Sequence, residues 1–300
     1  MPAFGGHFYW PNFFLFPSIF TWSLPVSPAT LAPSTAPAPR SRSAHALRAG
    51  TVHLLLSATV AGLVALLVFG AWFPGQLRAL TGGAELFWLL VGVDVVCGPL
   101  LTLVVFNPAK PRTELRRDLA LVVLIQLLAL GYGVHSLSYA RPVALVYEVD
   151  RFRSVSFADL DEAENDQVPD WAQPWGLSHP RTVGIRKATS SDEMMGSVDA
   201  SLQGVEPSQR PSWWQDYALS VPQVLQRARP LAELRSKHPQ QSALIDTAVA
   251  QAIAAPQTGE TADSTALRWL PLVSRRATDW VVLLDPVTGR VRGYIHLDGF

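Results

Sequence analysis

The chain has 300 residues, 49% of them hydrophobic and only 16% charged, and its formal net charge is zero. A soluble protein of this length carries nearer a quarter charged residues, so the composition argues against a wholly soluble protein. No basic patch with interleaved aromatics invites nucleic acid, and the single cysteine, Cys97, excludes an intrachain disulfide and a cysteine-based zinc site.

Residues 1–23 are aromatic-rich but broken by prolines, too short and interrupted to span a bilayer, and without the basic start of a secretory signal. Residues 24–40 are rich in Pro, Ala, Ser and Thr and cannot pack a core. Residues 1–44 therefore read as a disordered N-terminal extension, with the folded protein expected to begin near His45, as though from a later start codon.

Three apolar runs come next: VHLLLSATVAGLVALLVFGAWF (52–73), LFWLLVGVDVVCGPLLTLVVF (86–106) and DLALVVLIQLLALGYGVHSL (118–137). Each has about twenty residues, the length that crosses a hydrocarbon core of ~30 Å at 1.5 Å per residue. Soluble core helices seldom run apolar all round for this distance, so 45–138 reads as a three-span transmembrane domain. Arg40, Arg42 and Arg48 precede the first span, and Lys110, Arg112, Arg116 and Arg117 fill the loop between the second and third. The loop between the first and second holds Arg78 alone. The positive-inside bias then puts the N-terminus in the cytoplasm and everything after Ser138 outside it. Trp72, Trp88 and Tyr139 fall at the outer interface, where amphipathic rings are favoured.

Residues 139–300 are long enough for one domain. PVALVYEVDRF and RTVGIRKA read as strands, and the acidic, proline-punctuated DLDEAENDQVPDWAQPWG between them as an exposed excursion. SVPQVLQRARPLAELRSKHP and QQSALIDTAVAQAIAA read as two short helices, with Ser220 as N-cap of the first. In DWVVLLDPVTGRVRGYIHL two β-rich runs flank a turn with Gly289 where a positive φ is wanted. Strict alternation along the second run puts Val291, Ile295 and Leu297 on one side and Arg292, Tyr294 and His296 on the other. The fold class is a membrane protein with a three-helix transmembrane bundle followed by a small α+β extracytoplasmic domain.

Asp94, ninth residue of the second run, lies about 12 Å in from its outer end. An ionised Asp facing lipid there costs a few kcal/mol, so it needs a partner. On a helical wheel it shares a face with Cys97, Gly98 and Leu101, a small-residue stripe that admits another helix, and Gly98-Pro99 weakens the backbone one turn on. Gln126 and Tyr132 bracket the matching depth of the third run, and either can donate to the carboxylate. Asp94, Cys97, Gly98, Pro99, Gln126 and Tyr132 form the candidate intramembrane polar and packing site. A packing clamp, a contact with a partner and a proton or ion relay are its three readings. The relay is disfavoured because no second acidic residue lies within a span.

The stretch FPGQLRALTGG…LLVGVDVVCGPLLTLVVFNPAK…LRRDLALVVLIQLLALGYGVHSLSYARPVALVYEVDRF resembles the type IV pilin accessory proteins encoded beside pilin genes in gammaproteobacteria. It is carried by Gly92-Val93-Asp94, Gly98-Pro99-Leu100-Leu101-Thr102 and Arg141-Pro142 in order. The similarity runs from about His45 to Arg153 and continues through RARPLAELRSKHP and LRWLPLVSRRATDWVVLLDPVTGRVRGYI; residues 1–44 fall outside it. The resemblance implies an inner-membrane protein that serves a cognate pilin and influences pilus assembly or dynamics. Its implied partners are that pilin and inner-membrane assembly components, with the lipid bilayer around the spans. It implies no catalytic residue.

No Gly-rich phosphate loop, HExxH, G-x-S-x-G or CxxC occurs, and the seven histidines are scattered. His135 reads as an interfacial polar residue rather than a metal ligand. The acidic run from Asp159 to Asp166 lacks the Gly and terminal Glu of a calcium loop. No cofactor, metal or catalytic residue is expected. The chain also lacks a pilin's single N-terminal hydrophobic helix behind a basic leader. The residues favour a non-enzymatic accessory protein over a membrane enzyme that modifies pilin, such as a glycosyl- or acyltransferase, because the outer loop Pro74 to Glu85 carries only Glu85 as an acid.

Overall fold

The computed structural model describes residues 40–300. The expectation for the extension before Arg40 lies outside them, and from Arg40 the chain is already helical. Helix α1 (Arg40–Leu67) runs on as a π-helical turn, Val68–Trp72, closed by Phe73 N–H on the Val68 carbonyl at 2.7 Å. The extra residue in that turn shifts the helical phase of the last residues before Pro74, and Val68, Trp72 and Phe73 are all buried. Pro74 stops the helix. After the short α2 (Leu77–Leu80) come α3 (Gly83–Val105) and α4 (Arg112–Ala140). Pro111 stands before α4, where Lys110 reaches Glu114 at 3.4 Å and Asp118 at 2.7 Å. Pro142 ends α4 by forcing Arg141 to extended geometry (φ −63°, ψ 139°).

Ala44–Trp72, Gly83–Val105 and Arg112–Ala140 are helices long and apolar enough to cross a membrane. Inside lipid every backbone group must be satisfied within the segment, which uninterrupted helices achieve. The central helix is α3, which makes extensive contacts to both α1 and α4. At most 17% of the residues in each span's apolar window are buried, so most of each helix faces outward.

The chain passes from α4 into β1 (Pro142–Glu148) without a loop, and β2 (Arg151–Ser156) folds back along it. Next come β3 (Arg181–Ile185), α5 (Ser191–Leu202), β4 (Trp214–Asp216), α6 (Val221–Arg227), β5 (Arg229–Pro230), α7 (Leu231–Lys237) and α8 (Ser242–Ile253). Three strands close the domain: β6 (Arg268–Val273), β7 (Trp280–Leu284) and β8 (Val291–Ile295). They form one mixed sheet ordered β4-β3-β1-β2-β6-β7-β8, with β5 also pairing β6. The β1–β3 and β2–β6 pairs are parallel and the rest antiparallel.

Both sheet faces are buried, which explains why β6 and β7 read as nearly continuous apolar runs. One face, with Leu145, Tyr147, Phe152, Leu270, Leu272 and Val282, packs on α6 and on Leu77 and Leu80 of α2. The loop between the first two spans is therefore part of the domain's core. On the other face, α7 and α8 cover Trp269, Val281, Leu283 and Ile295, while Leu160, Val168 and Ala172 cover Ala144, Val146 and Val155.

Three local expectations need correction. The acidic segment after β2 is not a free excursion: its Leu160, Val168 and Ala172 lie on the sheet. Glu164 is 6% exposed and accepts from Arg210 Nε at 2.9 Å, Ser212 N–H at 2.9 Å and Ser212 Oγ at 2.8 Å. Ser220 does not cap α6, because it is itself αR at the end of a 3-10 turn, and its hydroxyl instead accepts from Gln215 Nε2 at 3.0 Å. The terminal hairpin has Gly289 at φ +68°, a conformation glycine adopts without strain, but alternation along β8 fails. Leu284 pairs Val291 while Leu283 pairs Gly293, so Arg292 is an extra, bulged residue. Val291 and Tyr294 therefore face the same core cluster, and Arg292 is buried among polar groups.

Candidate functional site

Within the membrane region, α3 is fastened on both flanks. Toward α4, Gln126 Nε2 donates to the Asp94 backbone carbonyl at 3.0 Å and to Asp94 Oδ1 at 3.3 Å. Gly98 and Pro99 are buried on α3, and a Cβ on Gly98 would lie 1.9 Å from Gln126 Nε2, so the bonds require glycine there. Tyr132 is 75% exposed and plays no part, contrary to the expectation that it serves as well as Gln126. Six residues on a helix turn through about 240°, so only one of the two can face α3. Cys97 and Leu101 are likewise exposed, and the close-packed stripe narrows to Asp94 and Gly98. Helix α3 runs through Pro99 without a break.

Toward α1, His53 Nδ1 and Thr102 Oγ1 are 2.5 Å apart, and Thr102 is 3% exposed. Sequence reasoning missed this pair. Its signal was a lone histidine and a lone threonine at matching height in apolar runs, the same signal that singled out Asp94. Beside them, His45, Val52, Leu56, Phe106, Leu119 and Val123 line an apolar cleft between α1 and α4.

Asp94 and Gly98 allow a graded test of the α3–α4 contact. Asp94→Asn keeps an acceptor and is expected to leave thermal stability in detergent near wild type. Asp94→Leu removes the weaker bond but spares the carbonyl, a loss within the ~0.6–2 kcal/mol typical of interhelical bonds in membranes. Gly98→Ala expels the amide from both acceptors and is expected to cost the most. A ranking with Asp94→Asn as damaging as Gly98→Ala would instead point to a titrating role.

At the end of the bundle that leads into the sheet a second constellation locks the domain to the helices. Arg141 has no exposed surface. Its Nη1 donates to the Ser178 carbonyl at 3.0 Å, and its Nη2 donates to those of Gln173 at 2.5 Å and Trp171 at 3.3 Å. Burial lowers its pKa from the ordinary 12.5, and among the described residues its hydrogen-bond partners are carbonyls. From α1, Trp72 Nε1 donates to the Gly176 carbonyl at 3.0 Å. Trp72 is thus part of this joint rather than a ring in the lipid interface, whereas Trp88 is 65% exposed. From the turn after β6, Ser274 Oγ donates to the Leu80 carbonyl at 2.9 Å, and Arg276 Nη2 meets Glu85 Oε2 at 2.8 Å. His135 stands against Tyr139 and Trp175, with ring centroids at 4.5 and 6.0 Å.

The sequence and fold define a three-span membrane protein whose α+β domain is fixed to one end of its helices. The family of the fimbrial assembly protein FimB matches residues 41–82. Two fimbrial assembly proteins of Dichelobacter nodosus, of serogroups I and E1, are each 35% identical over 236 residues, 78% of this chain and 88% of theirs. That of serogroups C1 and C2 is 45% identical over 109 residues, 36% of this chain and 83% of its own. The chain belongs to the fimbrial assembly protein family. No solved structure matches it.

Proposed function

We propose that this chain is a non-enzymatic accessory protein of type IV pilus assembly in the inner membrane, with its N-terminus cytoplasmic and its C-terminal domain periplasmic. It acts by contact with its cognate pilin or with inner-membrane assembly components. The observation that carries this reading is the likeness, over most of both chains, to proteins named for fimbrial assembly. The four basic residues between Lys110 and Arg117, against Arg78 alone in the first loop, support the orientation. The uncovered flanks of α1 and α4 support contact as the mode of action: a pilin's single hydrophobic helix fits beside either one. Its selectivity would come from small and polar residues, since lipid tails are as apolar as leucine.

Two measurements test the proposal. Reporter fusions at Pro108 are expected to read cytoplasmic and fusions at Pro256 periplasmic; a cytoplasmic signal at Pro256 overturns the orientation. Deleting the gene is expected to reduce surface piliation, and the tagged full chain is expected to co-purify with the pilin from native membranes. Unchanged piliation overturns the function, and restored piliation without co-purified pilin or assembly component overturns the contact.

A further inference from the structure

Trp175 is 55% exposed and Leu177 70% exposed, although they lie on one of the most firmly held loops of the domain. Arg141 grips the carbonyls of Trp171, Gln173 and Ser178, Trp72 grips that of Gly176 between them, and Ser178 Oγ donates to Trp171 O at 2.8 Å. A loop so fixed cannot fold its apolar side chains inward, and two large ones left in water is a standing cost.

Their place removes that cost. The Trp175 ring lies edge-on to Trp72, the last residue of the first span, at 5.9 Å, and 6.0 Å from the His135 ring. His135 is five residues before the end of α4, so the loop reaches back roughly 7 Å along that helix. Trp175 thus stands level with the emerging ends of two spans, and Trp88 and Tyr139, near the corresponding ends of α3 and α4, are exposed as well. Between Asp170 and Arg181 the segment WAQPWGLSHP carries no Asp, Glu, Lys or Arg. Indole rings prefer this headgroup level, where an apolar body and a polar edge are both satisfied.

We infer that the 171–178 loop is a membrane-interface anchor. Trp175 and Leu177 insert into the outer headgroup and acyl boundary of the bilayer that the helices cross. The domain then rests on the membrane in one fixed orientation and is not free to swing on a tether. The occupant is lipid because Trp175 stands beside His135, an exposed residue of α4, whose apolar side chains face outward along the span.

The test uses the full chain in nanodiscs of phosphatidylethanolamine and phosphatidylglycerol, with Cys97→Ser as background. Spin labels are placed by Leu177→Cys and, as control, by Val287→Cys. Val287 lies at the tip of the β7–β8 hairpin, and β7 runs antiparallel to β6, away from the bundle. Both sites are exposed, so neither label disturbs the core. Oxygen, which concentrates in lipid, is expected to relax the label at 177 more than a water-soluble nickel chelate does, with the order reversed at 287. Brominated lipids are expected to quench less of the total tryptophan fluorescence after Trp175→Phe. Nickel accessibility at 177 equal to that at 287 overturns the inference. So does a label at 177 reached by neither reagent, which would mean a protein covers the loop.

Discussion

Replacing Arg141 with leucine is expected to detach the 171–178 loop and to cost the protein several kcal/mol. The guanidinium is wholly buried and meets three carbonyls and, among the described residues, no carboxylate. Removing it leaves the Ser178 oxygen without this donor in a dry setting, at about 1–3 kcal/mol, while the Gln173 oxygen keeps its bond from the Gly176 N–H at 3.1 Å. The Trp171 carbonyl likewise keeps its bond from Ser178 Oγ, so these two lose less. Arg141→Lys keeps the charge but not the planar fork, which serves two strands of the loop at once, so it is expected to recover only part of the loss. Thermal unfolding in detergent should rank wild type above lysine and lysine above leucine, and limited proteolysis should open between Trp171 and Ser178 in the leucine variant. Lysine equal to wild type would mean that charge alone holds the loop. Leucine equal to wild type in both assays would remove the clamp from the energetics.

The three spans are legible in the sequence because a run apolar on every side has few other destinations. Turn chemistry at Asp285 to Gly289 similarly exposes the terminal hairpin. Depth along a helix can be counted, so Asp94 points to Gln126 and Tyr132, but the choice between them depends on how α4 is rotated, which packing decides. His53 and Thr102 carry the same kind of signal more faintly, because a histidine near a span's end and a threonine within one are both tolerated without a partner. Arg292 is hidden for a different reason: one bulged residue inverts the face of every side chain before it, and no local pattern announces the bulge. Glu164 sits in a run of acids that looks solvated, and only Arg210 and Ser212, nearly fifty residues on, make it internal. Long-range partners of that kind are absent from any window of sequence.

The bulge creates the second large effect. Arg292, Asp285 and Glu260 have side chains at most 1% exposed. Arg292 Nη1 meets Asp285 Oδ2 at 3.0 Å and Glu260 Oε2 at 3.4 Å, and its Nε donates to the Ala252 carbonyl at 2.9 Å, tying α8 to the hairpin. Arg292→Leu is expected to cost about 3 kcal/mol, because it removes the buried cation between two buried carboxylates and leaves Asp285 to backbone N–H groups and Glu260 to Arg290 and the Gln257 N–H. The same network sets a response to acid. The hydrogen bond from Arg290 holds the Glu260 carboxyl at about 2, against an ordinary 4.5. Burial pushes Asp285 up, but backbone N–H groups of Thr288, Thr261 and Val287 outweigh it and leave the carboxyl below its ordinary value. Since both folded-state values are depressed, the ionised carboxylates stabilise the fold fully above the unfolded value of Glu, and that contribution is lost as pH falls from 4.5 toward about 2. Glu260→Gln cannot titrate. It is therefore expected to lower the thermal midpoint at neutral pH and to flatten its decline through this acid window, as read by fluorescence melts of the full chain in detergent. A Glu260→Gln protein whose midpoint falls with acid as steeply as wild type would show that the Glu260 proton is not linked to folding, whatever Arg290 and Arg292 contribute.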